Sequence, residues 1–286
     1  MQWEDREESE NVEDRRRISA GGAAAGGGIL TLIIAAVIFF MGGDPRPLLN
    51  NQNPNAPGGG QVARPIDPRE ERIAKLVKVV LKDTEDVWSA QFQKHKREYR
   101  KPVMVLYTET DQSGCGFASS AMGPFYCPAD EKLYLDLKFF NELATRYKAP
   151  GDFAIAYVVA HEVGHHVQKL LEYNAKLEKL RRTLPEVEFN KWSVKLELQA
   201  DYLAGAFAHY AQESKNILEA GDVEAAMRAA QAVGDDTLQR RSKGYVVPDS
   251  FTHGTSAQRA KWFRLGLKTG DLKQLKVIWD MPYEQL

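Results

Sequence analysis

The segment AHEVGHHVQ, Ala160 to Gln168, brings three histidines and a glutamate together in a chain that has six histidines in all. His161 and His165 are four positions apart, so on one helix their side chains share a face and can bind one metal ion. Glu162 follows the first histidine and stays within reach of water on that metal. This HExxH spacing is typical of zinc-dependent hydrolysis, with two neutral imidazoles as ligands and the carboxylate as general base. His166 points elsewhere.

A catalytic zinc ion needs a third protein ligand and an open position for water. In the segment ELQAD, Glu197 and Asp201 are also four positions apart, on a stretch whose neighbours are mostly apolar. We expect Glu197 to be the third zinc ligand and Asp201 to orient a ligand histidine through its free ring nitrogen. The alternative is that the two carboxylates form an exposed acidic face of a helix.

Helices are predicted around both motifs. Apolar residues from Ile73 to Trp88 recur at helical spacing, which predicts a long amphipathic helix. The break at Pro150 and Gly151, followed by Asp152 and an apolar run, predicts a buried helix that carries the HExxH histidines. Further helices are predicted at 186–215, 222–233 and 256–268.

Two short segments are rich in β-forming residues. Residues 102–108 and 132–140 predict strands, and the Gly/Pro/Ser-rich segment between them carries both cysteines. The predicted fold class is therefore α+β, mainly helical with a small antiparallel-leaning sheet.

Composition divides the chain into four regions. Residues 1–19 predict a charged, solvated tail; residues 20–41 are uncharged and predict a transmembrane helix; residues 42–68 predict a Pro/Gly/Asn-rich linker; and residues 69–286 form the working domain. The net charge is −1, so no overall field favours nucleic acid as a partner.

The apolar segment favours a membrane protein with one span. Arginines precede residues 20–41 and only Arg46 follows soon after, which predicts a cytoplasmic N-terminus and a domain on the outer side. A cleaved signal peptide is the alternative. Gly22 and Gly26 form a GxxxG that would allow two spans to associate, and thus a homo-oligomer.

Longer motifs resemble a known family. HEVGHH followed by ELQADYLAG is similar to the gluzincin metallopeptidases. Together with CGFASSAMGPFYCPADEKLYLDLKFF and FTHGTSAQRAKWF, these segments resemble the bacterial family of predicted neutral zinc metallopeptidases with one N-terminal membrane span. The resemblance implies a zincin-like domain, one Zn²⁺ per chain, Glu197 as the zinc ligand of ExxxD, and a place in the bacterial inner membrane with the domain in the periplasm.

Two weaker assignments follow from this resemblance. His253 lies in THGTSAQR, which resembles a segment of HtpX-type membrane proteases, so we expect it to stabilise the oxyanion; the alternative is that it braces a loop. Zincin-like sites bind an extended peptide along a sheet edge, and we expect Gly116, Phe117 and Ala118, with the strand near 133–137, to supply it.

Cys115 and Cys127 are the only cysteines. On the outer side of a membrane such a pair is expected to form a disulfide, whereas two reduced, buried thiols are the alternative.

The leading functional hypothesis is a membrane-anchored zinc metallopeptidase that hydrolyses proteins or peptides outside the inner membrane. The alternative is a non-catalytic, zinc-bound scaffold of the cell envelope.

Overall fold

The computed structural model describes residues 1–16 and 67–286. Within these two ranges the chain forms six strands and nine α-helices. In chain order they are β1 (Val12–Asp14), α1 (Pro68–Lys94), β2 (Val103–Tyr107), β3 (Thr110–Ser113), β4 (Gly116–Ser119), β5 (Phe125–Cys127), β6 (Lys132–Asp136), α2 (Lys138–Thr145), α3 (Asp152–Leu170), α4 (Tyr173–Arg181), α5 (Glu186–Lys215), α6 (Asp222–Ala232), α7 (Asp235–Lys243), α8 (Ser256–Thr269) and α9 (Gln274–Asp280).

The mainly helical α+β class is confirmed, and so are the long helices. The amphipathic pattern from Ile73 to Trp88 lies inside α1, and the predicted helices at 186–215, 222–233 and 256–268 correspond to α5, α6 and α8. The predicted strand at 132–140 is shorter, because α2 begins at Lys138.

The sheet differs from the prediction. Its order is β1-β2-β6-β5, with β1–β2 and β2–β6 parallel and only β5–β6 antiparallel, while β3 and β4 form a separate antiparallel hairpin. The antiparallel-leaning sheet is therefore wrong. After β2 the chain passes through the hairpin and β5 before it returns as β6, so β2 and β6 run in the same direction. β6 is internal, and β5 has no second partner strand in residues 1–16 and 67–286.

Helices α3 and α5 lie at the centre of the core. Fourteen of the positions in α3 between Phe153 and Val167 are buried, which agrees with its apolar sequence. Helix α8 packs on α5 at Gly205, where a Cβ atom would lie 2.0 Å from the backbone oxygen of Phe263. Only glycine permits this approach, which brings α8 close to the centre of the molecule.

Residues 1–16 are packed on the domain, so the prediction of a solvated tail is wrong for them. Strand β1 adds to the sheet beside β2, and Trp3 is buried. The buried carboxylate of Glu85 accepts hydrogen bonds from Ser9 Oγ at 2.6 Å and Asn11 Nδ2 at 2.8 Å. Several of the charges that predicted solvation are instead paired with charges of the domain, as in Arg6 with Asp83, Arg15 with Asp111 and Glu13 with Lys132.

The predicted single-pass membrane topology is also wrong. No helix in residues 1–16 and 67–286 is long and apolar enough to cross a membrane. The predicted span at 20–41, with its GxxxG, and nearly all of the linker at 42–68 lie outside the described residues. One crossing between residues 16 and 67 would place β1 and β2 on opposite sides of a bilayer, yet they pair directly. Arg16 also contacts Glu71 at 3.1 Å. The predicted cytoplasmic N-terminus with a periplasmic domain, anchored in the inner membrane by this helix, is therefore not retained.

The predicted disulfide between Cys115 and Cys127 is present. It joins the residue before β4 to the last residue of β5, and so connects the hairpin to the edge of the main sheet.

Candidate metal centre

Helices α3 and α5 cross at the HExxH motif. Gly164, between the two histidines of the motif, faces the backbone of α5, and a Cβ atom there would lie 3.1 Å from the Ala200 oxygen. This close approach sets His161 and His165 on α3 opposite Glu197 on α5.

Three predicted metal ligands meet at this crossing. Nε2 of His161 lies 3.3 Å from Oε2 of Glu197, and Nε2 of His165 lies 3.4 Å from Oε1 of the same carboxylate. One ligand atom from each of the three residues lies within 4.8 Å of the other two. The structure therefore brings together the two histidines and the glutamate that the sequence motifs singled out.

The donor set fits a zinc ion. Tetrahedral zinc sites with bonds of about 2.1 Å have neighbouring donors about 3.4 Å apart, close to the distances observed between the imidazole nitrogens and the carboxylate. Glu162, Glu197 and Asp201 bring three carboxylates to the site, and Arg259 brings one buried guanidinium. A divalent cation would offset the negative charge that remains, because the lowered pKa values of Glu197 and Asp201 keep both carboxylates ionised while Arg259 supplies a single positive group.

Asp201 fixes the orientation of His161. Its Oδ1 lies 3.0 Å from Nδ1 of His161, which turns Nε2 toward Glu197. Asp201 is fully buried and is held by the guanidinium of Arg259, with 2.8 Å from Nε to Oδ2 and 3.1 Å from Nη2 to Oδ1. Burial alone would raise the pKa of Asp201, but the charges and hydrogen bonds of Arg259 and His161 together outweigh burial, and the pKa is lowered. Asp201 therefore remains an anion that accepts the His161 ring proton.

A chain of amide side chains orients His165. Nδ1 of His165 lies 2.9 Å from Oε1 of Gln168, and Nε2 of Gln168 donates to the Leu196 oxygen at 2.6 Å. Burial lowers the pKa of His165 to about 4, so the imidazole is neutral, as a metal ligand must be.

Glu162 on α3 lines the cleft and is not one of the three candidate ligands. Its side chain is buried, and burial raises the pKa of Glu162 to about 7. A carboxyl group with such a pKa can both accept and release a proton near neutral pH.

The metal centre opens into a cleft of about 880 Å³. Its lining residues come from 120–126, which end in the first two residues of β5, from α2 and α3, and from the loop around His253. Apolar and aromatic residues of the lining include Met122, Phe125, Tyr126, Phe139, Tyr147 and Val158.

His253 lines the same cleft. Its backbone N–H and those of Thr252 and Gly254 all donate to Oδ2 of Asp235, at 2.6, 2.8 and 2.9 Å. The imidazole Nδ1 lies 3.2 Å from Oδ1 of Asp235, and this contact raises the pKa of His253. The two interpretations of His253 are thus compatible, since it is part of a braced loop and also faces the cleft.

The predicted substrate-binding residues do not line the cleft. Gly116, Phe117 and Ala118 belong to β4, which pairs only with β3 among the described strands, and the Phe117 side chain is 63 % exposed to solvent. The strand near 133–137 is β6, whose two edges are already paired with β2 and β5. The edge strand that lines the cleft is β5, which is the next strand along the chain after β4.

His166 contacts structural partners only. Its Nδ1 lies 3.0 Å from the Tyr126 hydroxyl, and its Nε2 lies 2.6 Å from the Arg100 oxygen. Both ring nitrogens are therefore engaged, which agrees with the prediction that His166 points away from the metal.

Arg259, Tyr157 and Gln168 surround the ligands and were not assigned to the site from the sequence. Arg259 closes the segment THGTSAQR, and Tyr157 lies one helical turn before His161. Tyr157 donates its hydroxyl proton to Asp201. The four-residue spacing of Tyr157 and His161 could have indicated from the sequence that Tyr157 lies near the site. The contact between Arg259 and Asp201 could not be predicted in this way, because it depends on how α8 packs against α5.

Comparison with known proteins identifies the family. The family model described as "Putative neutral zinc metallopeptidase" matches residues 1–277. The chain belongs to this family. The match includes the N-terminal strand and both halves of the candidate metal centre.

Similar proteins are found in Escherichia coli and Mycobacterium tuberculosis. The chain is 46 % identical over 283 residues to the uncharacterized protein YpfJ of Escherichia coli K12. The aligned region covers 96 % of this chain and 97 % of that protein. It is 43 % identical over 183 residues to the uncharacterized protein Rv2575 of Mycobacterium tuberculosis H37Rv, or 60 % of this chain and 61 % of that protein. No solved structure matches the chain.

Proposed function

We propose that this protein is a zinc-dependent peptidase whose centre is formed by His161, His165 and Glu197, with Glu162 as the general base. The observation that carries this proposal is the convergence of the three ligand atoms within 4.8 Å, beside a buried carboxyl group and at the floor of an open cleft. The family to which the chain belongs supports the same reaction class.

The surrounding side chains have distinct roles in this proposal. A bound zinc ion would supply a Lewis acid that acidifies water and polarises a carbonyl group. His161 is held in the required tautomer by Asp201, and His165 by Gln168. Glu162 takes a proton from water and returns it to the leaving nitrogen, for which a pKa of about 7 is suited.

His253 is proposed to donate to the oxyanion that forms on the substrate. Its Nδ1 is held by Asp235, so the other ring nitrogen is free to donate into the cleft that it lines. The raised pKa favours the protonated ring, which is the form that stabilises negative charge.

The substrate is proposed to be an extended peptide that lies along the free edge of β5. This edge replaces the one expected from the sequence, because the residues from Ser120 to Tyr126 line the cleft and those of β4 do not. Unpaired backbone groups of an edge strand can hydrogen-bond to a peptide without selecting its side chains.

The decisive experiment compares the full chain with Glu162→Gln. Both proteins are loaded with zinc, their metal content is measured, and each is incubated with a broad peptide library whose products are read by mass spectrometry. We expect both to bind one zinc ion per chain and the variant to cleave at least about 100-fold more slowly, because a general base contributes about that factor. Glu224→Gln, at an exposed position on α6, is the matched control and should cleave normally.

Two outcomes would contradict the proposal. Zinc bound by the unsubstituted chain, with no cleavage anywhere in the library, would favour a non-catalytic zinc-binding scaffold. Cleavage that is equally fast in Glu162→Gln would show that another group is the base.

A further inference from the structure

A second concave site lies apart from the metal centre, where the ends of four helices meet. It is formed by the C-terminal ends of α1 and α3, the start of α4, and the segment that leads into α9. We call it the four-helix pocket. Its volume is about 390 Å³, within the range of about 300–1,000 Å³ for small-molecule sites. None of its lining residues also lines the cleft.

The interior of the four-helix pocket is apolar. Phe92, Val167 and Leu275 are buried beneath it, and Leu171 and Leu272 are half-buried in its wall. The ring of Tyr173 completes this surface. Such a surface gains free energy when an alkyl chain displaces water from it, at roughly 25 cal/mol per Å² of apolar area buried.

The rim of the pocket carries only basic side chains. All are exposed, and no aspartate or glutamate is among the lining residues; the basic ones are His95, Arg97, Lys176, Lys273 and Lys276. The chain as a whole has a net charge of −1, so this concentration of positive charge is local. An anion at this rim would be favoured by the arginine and the three lysines.

Some of these cations already have other contacts. Lys276 pairs with Asp280, and the ammonium group of Lys176 lies 4.6 Å from the centre of the Tyr173 ring. Arg97 and Lys273 have no carboxylate partner in the described part of the chain. These two groups are therefore the ones most available to a ligand.

We propose that the four-helix pocket binds a single-chain anionic amphiphile of the fatty-acid class. The alkyl chain would lie against the apolar interior, and the carboxylate would remain at the rim near Arg97 and Lys273. Arginine suits this role because its planar fork matches a carboxylate. A protein helix, about 10 Å across, does not fit a concavity of this volume, which favours a single alkyl chain over a docked helix.

The test is a calorimetric titration of the full chain with dodecanoate at concentrations at which it is monomeric. Dodecanol and dodecyltrimethylammonium serve as ligands with the same chain and a neutral or positive head. We expect saturable binding of one dodecanoate per chain, with at least about tenfold weaker binding of the other two, as expected for the loss of several charge contacts.

Substitutions locate the site without disturbing the core. The double variant Arg97→Glu/Lys273→Glu should weaken dodecanoate binding about tenfold or more. Lys243→Glu/Lys268→Glu changes the net charge by the same amount at exposed positions on α7 and α8 and should leave binding unchanged. Metal content and peptide cleavage are not used as readouts, so the result is independent of the proposed peptidase activity.

Three outcomes would overturn this proposal. The first is equal binding of the three dodecyl compounds, which would indicate non-specific apolar adsorption. The second is equal weakening of binding in the two double variants. The third is that dodecanoate does not bind saturably. If an apolar peptide with a free carboxyl terminus binds instead, the pocket is a peptide-docking site.

Discussion

Arg259 balances the buried negative charge beside the candidate metal centre. Its guanidinium makes two hydrogen bonds to Asp201 and lies 3.9 Å from Glu197. Because both partners are buried, removing one leaves a charge without compensation, which costs about 3–5 kcal/mol. We expect Arg259→Gln to lower the free energy of unfolding by this amount in urea denaturation, whereas Arg264→Gln, exposed on the same helix, should have little effect.

A double variant separates the charge pair from simple packing. Asp201→Asn combined with Arg259→Gln removes both charges and should recover much of the stability lost in Arg259→Gln. If the double variant is as unstable as the sum of the two single variants, the two side chains do not act as a pair.

Zinc affinity provides a prediction that separates ligands from the groups that orient them. Glu197→Ala removes a proposed ligand and should abolish stoichiometric zinc binding at micromolar metal. Asp201→Asn keeps all three ligands but weakens the hold on His161, so affinity should fall by about 10- to 100-fold. Equilibrium dialysis against a chelator would measure both effects, and Glu213→Ala on the same helix serves as the control. Unchanged affinity in Glu197→Ala would exclude it as a ligand.

The proposed ligand residues could be paired from the sequence because their spacing is local. Residues four apart on one helix share a face, so His161 with His165 and Glu197 with Asp201 could be paired without knowledge of the fold. Arg259 reaches Asp201 from α8, and Gln168 links His165 to α5, so both contacts depend on tertiary packing. Contacts between distant helices cannot be predicted from the spacing of residues in the sequence.

At the scale of the elements, the crossing of α5 and α8 depends on glycine. A methyl group at Gly205 would lie 2.0 Å from the Phe263 oxygen, so the helices must separate to accept it. Helix propensity alone predicts that Gly205→Ala stabilises an exposed helix by about 1 kcal/mol. We expect the opposite sign here, a loss of about 1–3 kcal/mol in chemical denaturation, because overpacking outweighs propensity.

The same variant should also affect the metal centre. Separating α8 from α5 would move Arg259 away from Asp201, so Gly205→Ala should weaken zinc binding, although it touches no ligand. Glu213→Ala, exposed on α5, is the control for both measurements. A stabilised Gly205→Ala with normal zinc affinity would show that α8 does not need this close approach.

The helices were more predictable than the sheet. Amphipathic periodicity and capping residues lie within a helix, and the boundaries of α5, α6 and α8 were close to those observed. Strand direction instead depends on which distant segments pair. β1 comes from the N-terminal segment and lies parallel to β2. Because only three of its residues pair and the surrounding sequence is charged, its pattern predicted neither a strand nor a direction.

At the scale of the whole molecule, residues 1–16 join the sheet, the first long helix and the helix that carries the HExxH motif. β1 pairs with β2, Glu85 of α1 holds Ser9 and Asn11, and Trp3 donates its indole N–H to Asp152 at 2.8 Å. Asp152 is the first residue of α3, which carries the HExxH motif. The N-terminal segment is therefore in direct contact with the helix on which the candidate site is built.

Asp152 should make this docking dependent on pH. The hydrogen bonds from Arg72 and Trp3 lower the pKa of Asp152 in the folded protein. Its contribution to stability is therefore present above the unfolded pKa of about 3.9 and is lost as the pH falls through the lower folded value.

We expect hydrogen exchange of residues 2–6, normalised to intrinsic rates, to lose protection on acidification below about pH 4 in the unsubstituted chain. Asp152→Asn keeps an acceptor but has no charge to lose, so its protection should be lower at neutral pH and should change less with pH. Asp249→Asn, at an exposed position, should behave like the unsubstituted chain. Equal loss of protection in all three proteins would mean that other carboxylates, such as Asp14 or Glu13, control the docking of the N-terminal segment.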